Sequence, residues 1–277
     1  MSSPKKEIFF HVGLGKTASK FLQHKIFPKL KGIYYIKPSR YGRFREIISG
    51  IDDSRVLVSR EFDNQLETET EKFAAHSPQA RIIIILRRHD SWMASQYRRH
   101  VKNGYSCTFE EFLDVEHDRG KWRRDKVFFL PKLMHLENLF GKKPLVLFHE
   151  DLAGNPRNFI HEIIRFTGAS CNMEGLSLKP HHTSYSDKQL KVIRRVGKYF
   201  FPQEETPYSN NPLIRWVQKR SRLLACYAIL YSALLVPDAF LANEALISDE
   251  SLEKVRRFYA ADWEQCRNYA GKSVQVH

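Results

Sequence analysis

The sequence is poor in cysteine, and no segment is dominated by glycine, serine or proline. Its four cysteines are scattered, without a C-x-x-C pair, at Cys107, Cys171, Cys226 and Cys266. This spacing predicts reduced thiols in a reducing compartment and argues against a structural metal site. Adjacent residues seldom share one ion, so His181–His182 is not predicted to bind a metal either. The lack of low-complexity tracts and internal repeats indicates an ordinary globular protein.

Apolar runs long enough to cross a membrane are also lacking. The longest, 223–236, has about fourteen residues, whereas a spanning helix requires about 20. The N-terminus has no apolar core of a secretion signal, so we expect a cytoplasmic protein. Basic residues directly precede the apolar run. Segment 212–237 is therefore either a C-terminal core helix with a solvated first half, which we favour, or a peripheral contact with an anionic membrane surface.

Acidic residues are outnumbered, with 31 Asp and Glu against 45 Lys and Arg and a formal net charge of +14. This excess predicts anionic partners, such as a nucleotide, an acidic glycan, nucleic acid or lipid head groups, without choosing among them. The length of 277 residues is sufficient for one α/β domain with appended elements.

Short apolar runs alternate with helical patterns through the first part of the chain. Strands are predicted at Ile8–Val12, Arg55–Ser59, Ile82–Leu86 and Leu145–Phe148. Helices are predicted at 17–27, 90–103, 125–140 and 155–167 and then, with no further strand, near 186–200, 212–236 and 249–270. This order predicts an α/β fold, a parallel β-sheet flanked by helices with a helical C-terminal portion. We expect a single domain, with a nucleotide-binding core at 1–180 and a mainly helical extension at 181–277.

The loop after the first strand has the composition of a phosphate site. It contains Gly13, Gly15, Lys16, Thr17, Ala18, Ser19 and Lys20. Glycines allow the backbone to lie close to a ligand, and a loop entering a helix points free N–H groups at an anion. Lys16 adds a positive charge, and Thr17 and Ser19 add hydroxyl donors. The competing interpretation is a plain glycine turn with a surface lysine.

The same loop partly matches the phosphate loop of ATP-dependent enzymes, G-x-x-x-x-G-K-[ST]. Gly15-Lys16-Thr17 fits the end of that motif, but its first glycine should stand at position 10, where the sequence has Phe10. The metal-binding aspartate of such enzymes has Asp151 as its only candidate. The ATP-dependent interpretation is therefore incomplete.

A second anion site is predicted where the strand Ile82–Leu86 ends. Parallel strands open their carboxyl ends on one edge of a sheet, so Arg87 should lie on the same edge as the Lys16 loop. Ser95 lies in the helix that follows. A guanidinium and a hydroxyl converging on one point would clamp a second phosphate. Two such sites suit a nucleotide phosphorylated at both its 5′ and 3′ positions.

These elements resemble those of the sulfotransferases that use 3′-phosphoadenosine 5′-phosphosulfate (PAPS), more the carbohydrate-type and bacterial branch than the small-phenol branch. Residues 16–20 are similar to the family's K-x-[GA]-[ST] element, which binds the 5′-phosphosulfate. Arg87, with Ser95 eight residues on and Tyr97 two further, resembles the element that binds the 3′-phosphate. A third segment, 146–152, is similar to a further family motif, with His149 in place of the usual tyrosine.

The resemblance spans about residues 8–168 and leaves the last hundred or so unmatched. It implies a P-loop-like fold and a donor site formed by Gly15, Lys16, Thr17, Ala18, Ser19, Lys20, Arg87 and Ser95. It also implies that Lys16 neutralises the charge developing on the leaving phosphate, that no metal is needed, and that the product is desulfated PAP.

An acceptor hydroxyl also needs a base, and carbohydrate-type relatives place a Glu or sometimes a His after the second strand. Glu61 stands just past the predicted strand Arg55–Ser59, on the ligand edge, and is the predicted base. The alternative is a surface carboxylate paired with Arg60. His11 is the second candidate for the base, although its position at a strand end favours a packed, hydrogen-bonded histidine.

The sequence therefore predicts an enzyme that moves a sulfuryl group from PAPS to a hydroxyl or amine of an unidentified acceptor, such as a glycan, glycolipid or small metabolite. One alternative is an ATP-dependent kinase, which would require Mg²⁺. Another is a non-catalytic polyanion-binding protein, whose binding would weaken steeply with salt. The ordered pair of phosphate motifs argues against the latter, and nucleic acid is not a predicted partner.

Overall fold

The structure, a computed structural model, describes residues 6–174, 185–203, 208–237 and 245–271. Its strands are β1 (Glu7–Gly13), β2 (Tyr34–Ile36), β3 (Arg55–Glu61), β4 (Arg81–Leu86) and β5 (Leu145–Phe148). Its helices are α1 (Ser19–Phe21), α2 (Phe44–Gly50), α3 (Leu66–Ala74), α4 (His89–Lys102), α5 (Phe109–Phe112), α6 (Leu130–Phe140), α7 (His149–Gly154), α8 (Pro156–Thr167), α9 (Asp187–Phe200), α10 (Pro212–Ser232), α11 (Asp249–Phe258) and α12 (Ala260–Tyr269).

The strands form one parallel sheet in the order β2-β3-β1-β4-β5. Successive residues of β1 point to opposite faces, and both faces are apolar because helices cover both. Phe9 packs in a cluster with Ile163 of α8, whereas Phe10 stacks on Phe73 of α3 with ring centroids 3.8 Å apart. The predicted α/β class, a parallel sheet flanked by helices with a helical C-terminal portion, is confirmed.

The chain divides into two compact units. The first contains the sheet and comprises the described residues within 1–89, 128–181 and 259–277; the second comprises those within 90–127 and 182–258. The described part of the second unit contains helices and no strand. That 1–277 acts as a single domain, with its core at 1–180 and an extension at 181–277, stays a prediction.

The second unit has its own close packing. A Cβ on Gly197 of α9 would lie 2.4 Å from the carbonyl oxygen of Gly104, so these two backbones touch where no side chain intervenes. Tyr97 of α4 is fully buried against Phe109 and Phe112, and its hydroxyl donates to the Cys107 carbonyl at 2.9 Å. None of the helices among the described residues combines the length and apolar character needed to cross a bilayer.

All four predicted strands are confirmed, and three details of the sequence prediction are wrong. Neither β2 nor α2 was predicted; β2 has only three residues at the sheet edge, too few to produce a period. The first helix begins at Ser19 rather than Thr17, and it widens over Leu22–Ile26 before a tight turn at Phe27–Lys29. The predicted helix 249–270 is two helices that meet at Tyr259.

Candidate functional site

The loop between β1 and α1 has an unusual backbone for its sequence. Lys16 and Ala18 adopt positive φ angles of 73° and 69°, a region that residues with a Cβ seldom occupy. Such conformations cost about 1–3 kcal/mol each and persist where the surroundings hold them. They cluster at ligand clamps and active sites in general. The strain therefore coincides with the segment that the composition predicts to bind phosphate.

Hydrogen bonds to the protein's own groups hold this loop in place. The Thr17 hydroxyl is buried and donates to the Leu14 carbonyl at 2.7 Å, with the Ser19 hydroxyl 3.4 Å away. The Gly15 N–H donates to the Asp63 carboxylate at 2.9 Å. Thr17 is 0% exposed, so its hydroxyl supports the conformation of the loop rather than a ligand. Lys16 and Lys20, by contrast, are exposed.

Arg87 reaches the Lys16 loop directly. Since β1 and β4 are neighbours, the segments that follow them emerge side by side, and the Arg87 guanidinium donates to the Lys16 carbonyl at 3.3 Å. From β1 the chain moves to β2 and β3 on one side, whereas β4 leads to β5 on the other. The carboxyl edge between β1 and β4 is thus the topological switch point, where open α/β sheets bind ligands.

Glu61 also lies beside the Lys16 loop. It ends β3 and stands opposite Gly13 in the β1–β3 register. A Cβ built on Gly13 would lie 3.4 Å from Glu61 Cγ and 2.4 Å from Ser19 Oγ, so both side chains lie over this glycine. Glu61 is half-buried, which leaves part of its side chain accessible from the sheet edge. The fold therefore brings Lys16, Ser19, Glu61 and Arg87 together within the first unit.

Ser95 lies in α4, half-buried, and belongs to the second unit. Its part in binding a 3′-phosphate stays a prediction. Tyr97, two residues further, is a core ring whose hydroxyl also receives a hydrogen bond from Arg194 at 3.2 Å.

Two acidic residues that the sequence did not single out hold the site in place. Asp63 follows β3 and accepts the Gly15 N–H; no motif identifies it, because only the pairing of β3 with β1 brings it to the loop. Glu150 accepts the Arg88 N–H at 2.9 Å through one carboxylate oxygen, while the other is buried and has no hydrogen-bond partner among the described residues. Burial raises the pKa of Glu150, against the opposing effects of that bond and of Arg87 and Arg88.

Two histidines near the site are held neutral. Burial and the neighbouring Arg87 lower the pKa of His149 to about 4. His11 is fully buried, which lowers its pKa to about 3, and its Nδ1 lies 2.8 Å from Ser59 Oγ. A side chain with no exposed surface cannot contact an acceptor. The packed histidine is therefore the interpretation of His11 that the structure supports.

A buried hydrogen bond between a histidine and a carboxylate supports the start of α4, directly after Arg87 and Arg88. His89 Nε2 donates to Asp262 Oδ2 at 2.9 Å, and its ring stacks on Tyr259 with centroids 4.8 Å apart. Asp262 also accepts the N–H groups of Phe129 and Leu130. Burial acts to raise the pKa of Asp262, but the bond from His89 and those N–H groups outweigh it and leave that pKa below 3.8.

The described residues contain no group of three His, Cys, Asp or Glu side chains arranged to hold a metal ion. The His181–His182 pair lies outside them. That the reaction needs no metal stays a prediction.

No protein-family model matches the chain. Among solved structures, the crystal structure of a sulfotransferase from Alicyclobacillus acidocaldarius is similar, with a TM-score of 0.48 and 15% sequence identity. The match covers 84% of this chain and 97% of that one. A similarity at this TM-score does not assign a function to the chain.

Proposed function

We propose that this protein is a sulfotransferase that moves a sulfuryl group from PAPS to a hydroxyl or amine of an acceptor. One observation carries the proposal. Arg87 donates a hydrogen bond to the backbone of the Lys16 loop at the switch point of the sheet, with Glu61 beside that loop. Two cationic groups and a carboxylate on one ligand-binding edge suit a donor with two anionic ends and an acceptor that must lose a proton.

The donor is bound by charge and by backbone. Lys16 and Lys20 are exposed at the strained loop and would neutralise the 5′-phosphosulfate, while Thr17 and Ser19 are buried and would hold the loop in shape. The Arg87 fork is suited to the two oxygens of a 3′-phosphate, and Ser95 would complete that site. A 3′-phosphate distinguishes PAPS from ATP and ADP, so Arg87 is the residue on which donor selectivity depends.

The reaction then requires alignment and charge neutralisation. The acceptor oxygen or nitrogen forms a bond to sulfur as the bond between sulfur and the 5′-phosphate oxygen breaks, which releases PAP. Lys16 stabilises the negative charge that develops on the leaving oxygen. Glu61 takes the proton from the acceptor, and its position across from Gly13 puts it beside the loop that would hold the sulfuryl group. Among acceptors, a carbohydrate, a glycolipid or a small metabolite is proposed through the family resemblance.

An ATP-dependent kinase is the second candidate, and Asp63 favours it. The Asp63 carboxylate, which accepts the Gly15 N–H, lies where a metal-binding aspartate could serve. Asp151, the candidate from the sequence, is engaged elsewhere. The Asp151 carboxylate is paired with Arg267 at 3.0 Å. Against the kinase, the Thr17 hydroxyl that would bind Mg²⁺ is buried and donates to Leu14. Phe10 also occupies the position of the motif's first glycine.

Calorimetric titration of the full chain with PAP, ADP and AMP in EDTA tests the donor. We expect tight metal-free binding of PAP alone. Arg87→Ala should weaken it by roughly 10- to 100-fold, since hydrogen bonds to charged groups are worth about 1.5–3 kcal/mol. Arg157→Ala, which removes an exposed charge from α8, is the matched control and should have little effect. A preference for ADP, or for ATP once Mg²⁺ is restored, would overturn the sulfotransferase proposal, and loss of that binding in Asp63→Asn would favour the kinase.

Sulfate transfer from labelled PAPS to a panel of sugars, glycolipids and small alcohols tests the base. Glu61→Gln should retain PAP binding and lose transfer by about 10²- to 10⁴-fold, the usual contribution of a general base. Asp53→Asn, an exposed carboxylate before β3, is the control. A Glu61→Gln variant with unchanged turnover would exclude Glu61 as the base.

A third possibility is a polyanion-binding protein without catalytic activity. It predicts similar small losses of PAP affinity for Arg87→Ala and Arg157→Ala.

A further inference from the structure

Helix α10 buries little of its surface for its length. It has 21 residues, of which Cys226 and Leu230 are buried, and every residue from 211 to 220 is exposed. A helix that served as a core element would bury a continuous stripe along its length. The burial of α10 is therefore confined to its second half, as in the predicted core helix with a solvated first half.

The exposed side of α10 is apolar along one line. Leu213, Trp216, Leu224 and Tyr231 are 70%, 62%, 57% and 61% exposed. Their spacing of three, eight and seven residues keeps them on one face of an α-helix, and the exposed Arg220, seven residues after Leu213, falls on the same face between Trp216 and Leu224. Leu235, 85% exposed, lies in the turn that directly follows. Large apolar side chains that are exposed along one helix face in this number are unusual on a protein surface in water and mark an interaction site.

The charges around this stripe are all positive. Between residues 208 and 237 there is no Asp or Glu, and Arg215, Lys219 and Arg220 are exposed. The Arg215 guanidinium donates to the backbone carbonyls of Ser209 and Asn210 and forms no ion pair within the described part of the chain. Lys219 lies over the Tyr208 ring at 5.1 Å. The charged side chains of α10 itself are therefore all cationic, and Arg220 lies within the apolar face.

We propose that this face of α10 lies on the surface of an anionic phospholipid bilayer. An apolar stripe with Trp and Leu beside Lys and Arg is the composition of an interfacial helix, whose apolar side enters the acyl boundary while its cations contact lipid head groups. Tryptophan and tyrosine favour the same depth. A second copy of this chain is the poorer partner, because a protein of net charge +14 would oppose cation to cation along the stripe.

Sedimentation of the full chain with phosphatidylcholine vesicles, with and without phosphatidylglycerol, tests the proposal. We expect binding to the anionic vesicles alone, weakened by salt. Leu213→Ser combined with Trp216→Ser should reduce it roughly tenfold or more, because the stripe loses two of its apolar anchors. Met134→Ser, which changes a 53% exposed side chain on α6, is the apolar control and should bind like the wild type.

The charge contribution is tested with a matched pair. Lys219→Gln with Arg220→Gln should weaken binding by roughly fivefold per charge, since each cation near an anionic surface contributes about 1 kcal/mol. Lys142→Gln with Arg157→Gln removes the same charge from exposed positions elsewhere and should have a much smaller effect. Equal losses in the two pairs would show that net charge alone drives the binding and would overturn the assignment to α10.

Tryptophan fluorescence reports on the same face. Trp216 is exposed, whereas Trp92 is buried and Trp122 and Trp263 are half-buried, so the emission should shift to the blue on anionic vesicles as Trp216 leaves water. Trp216→Phe should remove that shift and retain binding. Failure to bind anionic vesicles would overturn the proposal, as would self-association in solution that Leu213→Ser with Trp216→Ser abolishes, since a second copy would then be the occupant. None of these readouts depends on PAPS, so the proposal and the enzymatic one fail independently.

Discussion

Gly13→Ala is the substitution whose effect the structure determines most directly. The new Cβ would lie 2.4 Å from Ser19 Oγ, 3.2 Å from Ser19 Cβ and 3.4 Å from Glu61 Cγ. Ser19 is only 1% exposed, so its hydroxyl cannot move into solvent to relieve the contact. Overpacking of this kind costs about 1–3 kcal/mol. We expect a loss of that size in the free energy of unfolding, together with weaker PAP binding because the loop is displaced.

Gly50→Ala is the matched control for the same chemical change. Gly50 ends α2, has a φ that other residues adopt, and has no atom within 4 Å of a built Cβ. Alanine there should be neutral or stabilise the protein by up to about 0.5–1 kcal/mol. The assay is urea denaturation followed by circular dichroism, in which a changed midpoint with an unchanged slope reports a change in stability.

The double variant Gly13→Ala with Ser19→Ala separates the clash from other effects. It removes the 2.4 Å contact and leaves the one at 3.2 Å, so the two substitutions should cost less together than the sum of their separate costs. If Gly13→Ala unfolds at the same urea concentration as Gly50→Ala, the loop accommodates the new Cβ without loss of stability, and the predicted clash with Ser19 does not occur.

Three further predictions concern pH and charge. Burial lowers the pKa of His11 from 6.5 to about 3. The free energy of unfolding should therefore fall as the pH drops from 6.5 towards 3, by at most about 1.4 kcal/mol per pH unit from this residue; His11→Gln should remove that slope in urea titrations. Asp262→Asn should destabilise the protein by about 1.5–3 kcal/mol at pH 7. The difference in stability between the variant and the wild type should shrink as the pH falls through the lowered pKa of Asp262, because the wild type then loses the same charge. Thermal unfolding across pH measures this difference. Arg87→Lys should retain the charge but weaken PAP binding by ~10-fold in calorimetry, because lysine lacks the planar fork.

Much of the α/β core follows from local pattern. Residues 82–86 are five successive apolar residues, and such a run is stable as a strand buried on both faces. Helix α8 follows from Pro156 at its start, the spacing of Phe159, Ile160 and Ile163, and Gly168 at its end in a left-handed conformation. These signals lie within short stretches of chain, so a sequence is sufficient to identify them.

Other features depend on pairing between distant segments. Strand β2 has three residues, too few to show a period, and it exists because β3 offers an edge for it to pair with. The break at Tyr259 between α11 and α12 has no proline or glycine behind it; its ring is buried and stacked on His89. No local pattern predicts such a contact.

In the candidate site, too, some features can be predicted from the sequence and others cannot. The sequence alone predicts its chemical content, because Lys16, Ser19, Arg87 and Glu61 lie at or after strand ends and a parallel sheet opens those ends on one edge. Tertiary structure alone decided which of them meet. The order β3-β1-β4 brings Arg87 to the Lys16 carbonyl and places Asp63 on Gly15. Packing also turns the Thr17 hydroxyl inward and, within the second unit, leaves one face of α10 uncovered. Strand order and burial are set by the whole set of packed contacts, whereas a motif records only the residues adjacent along the chain.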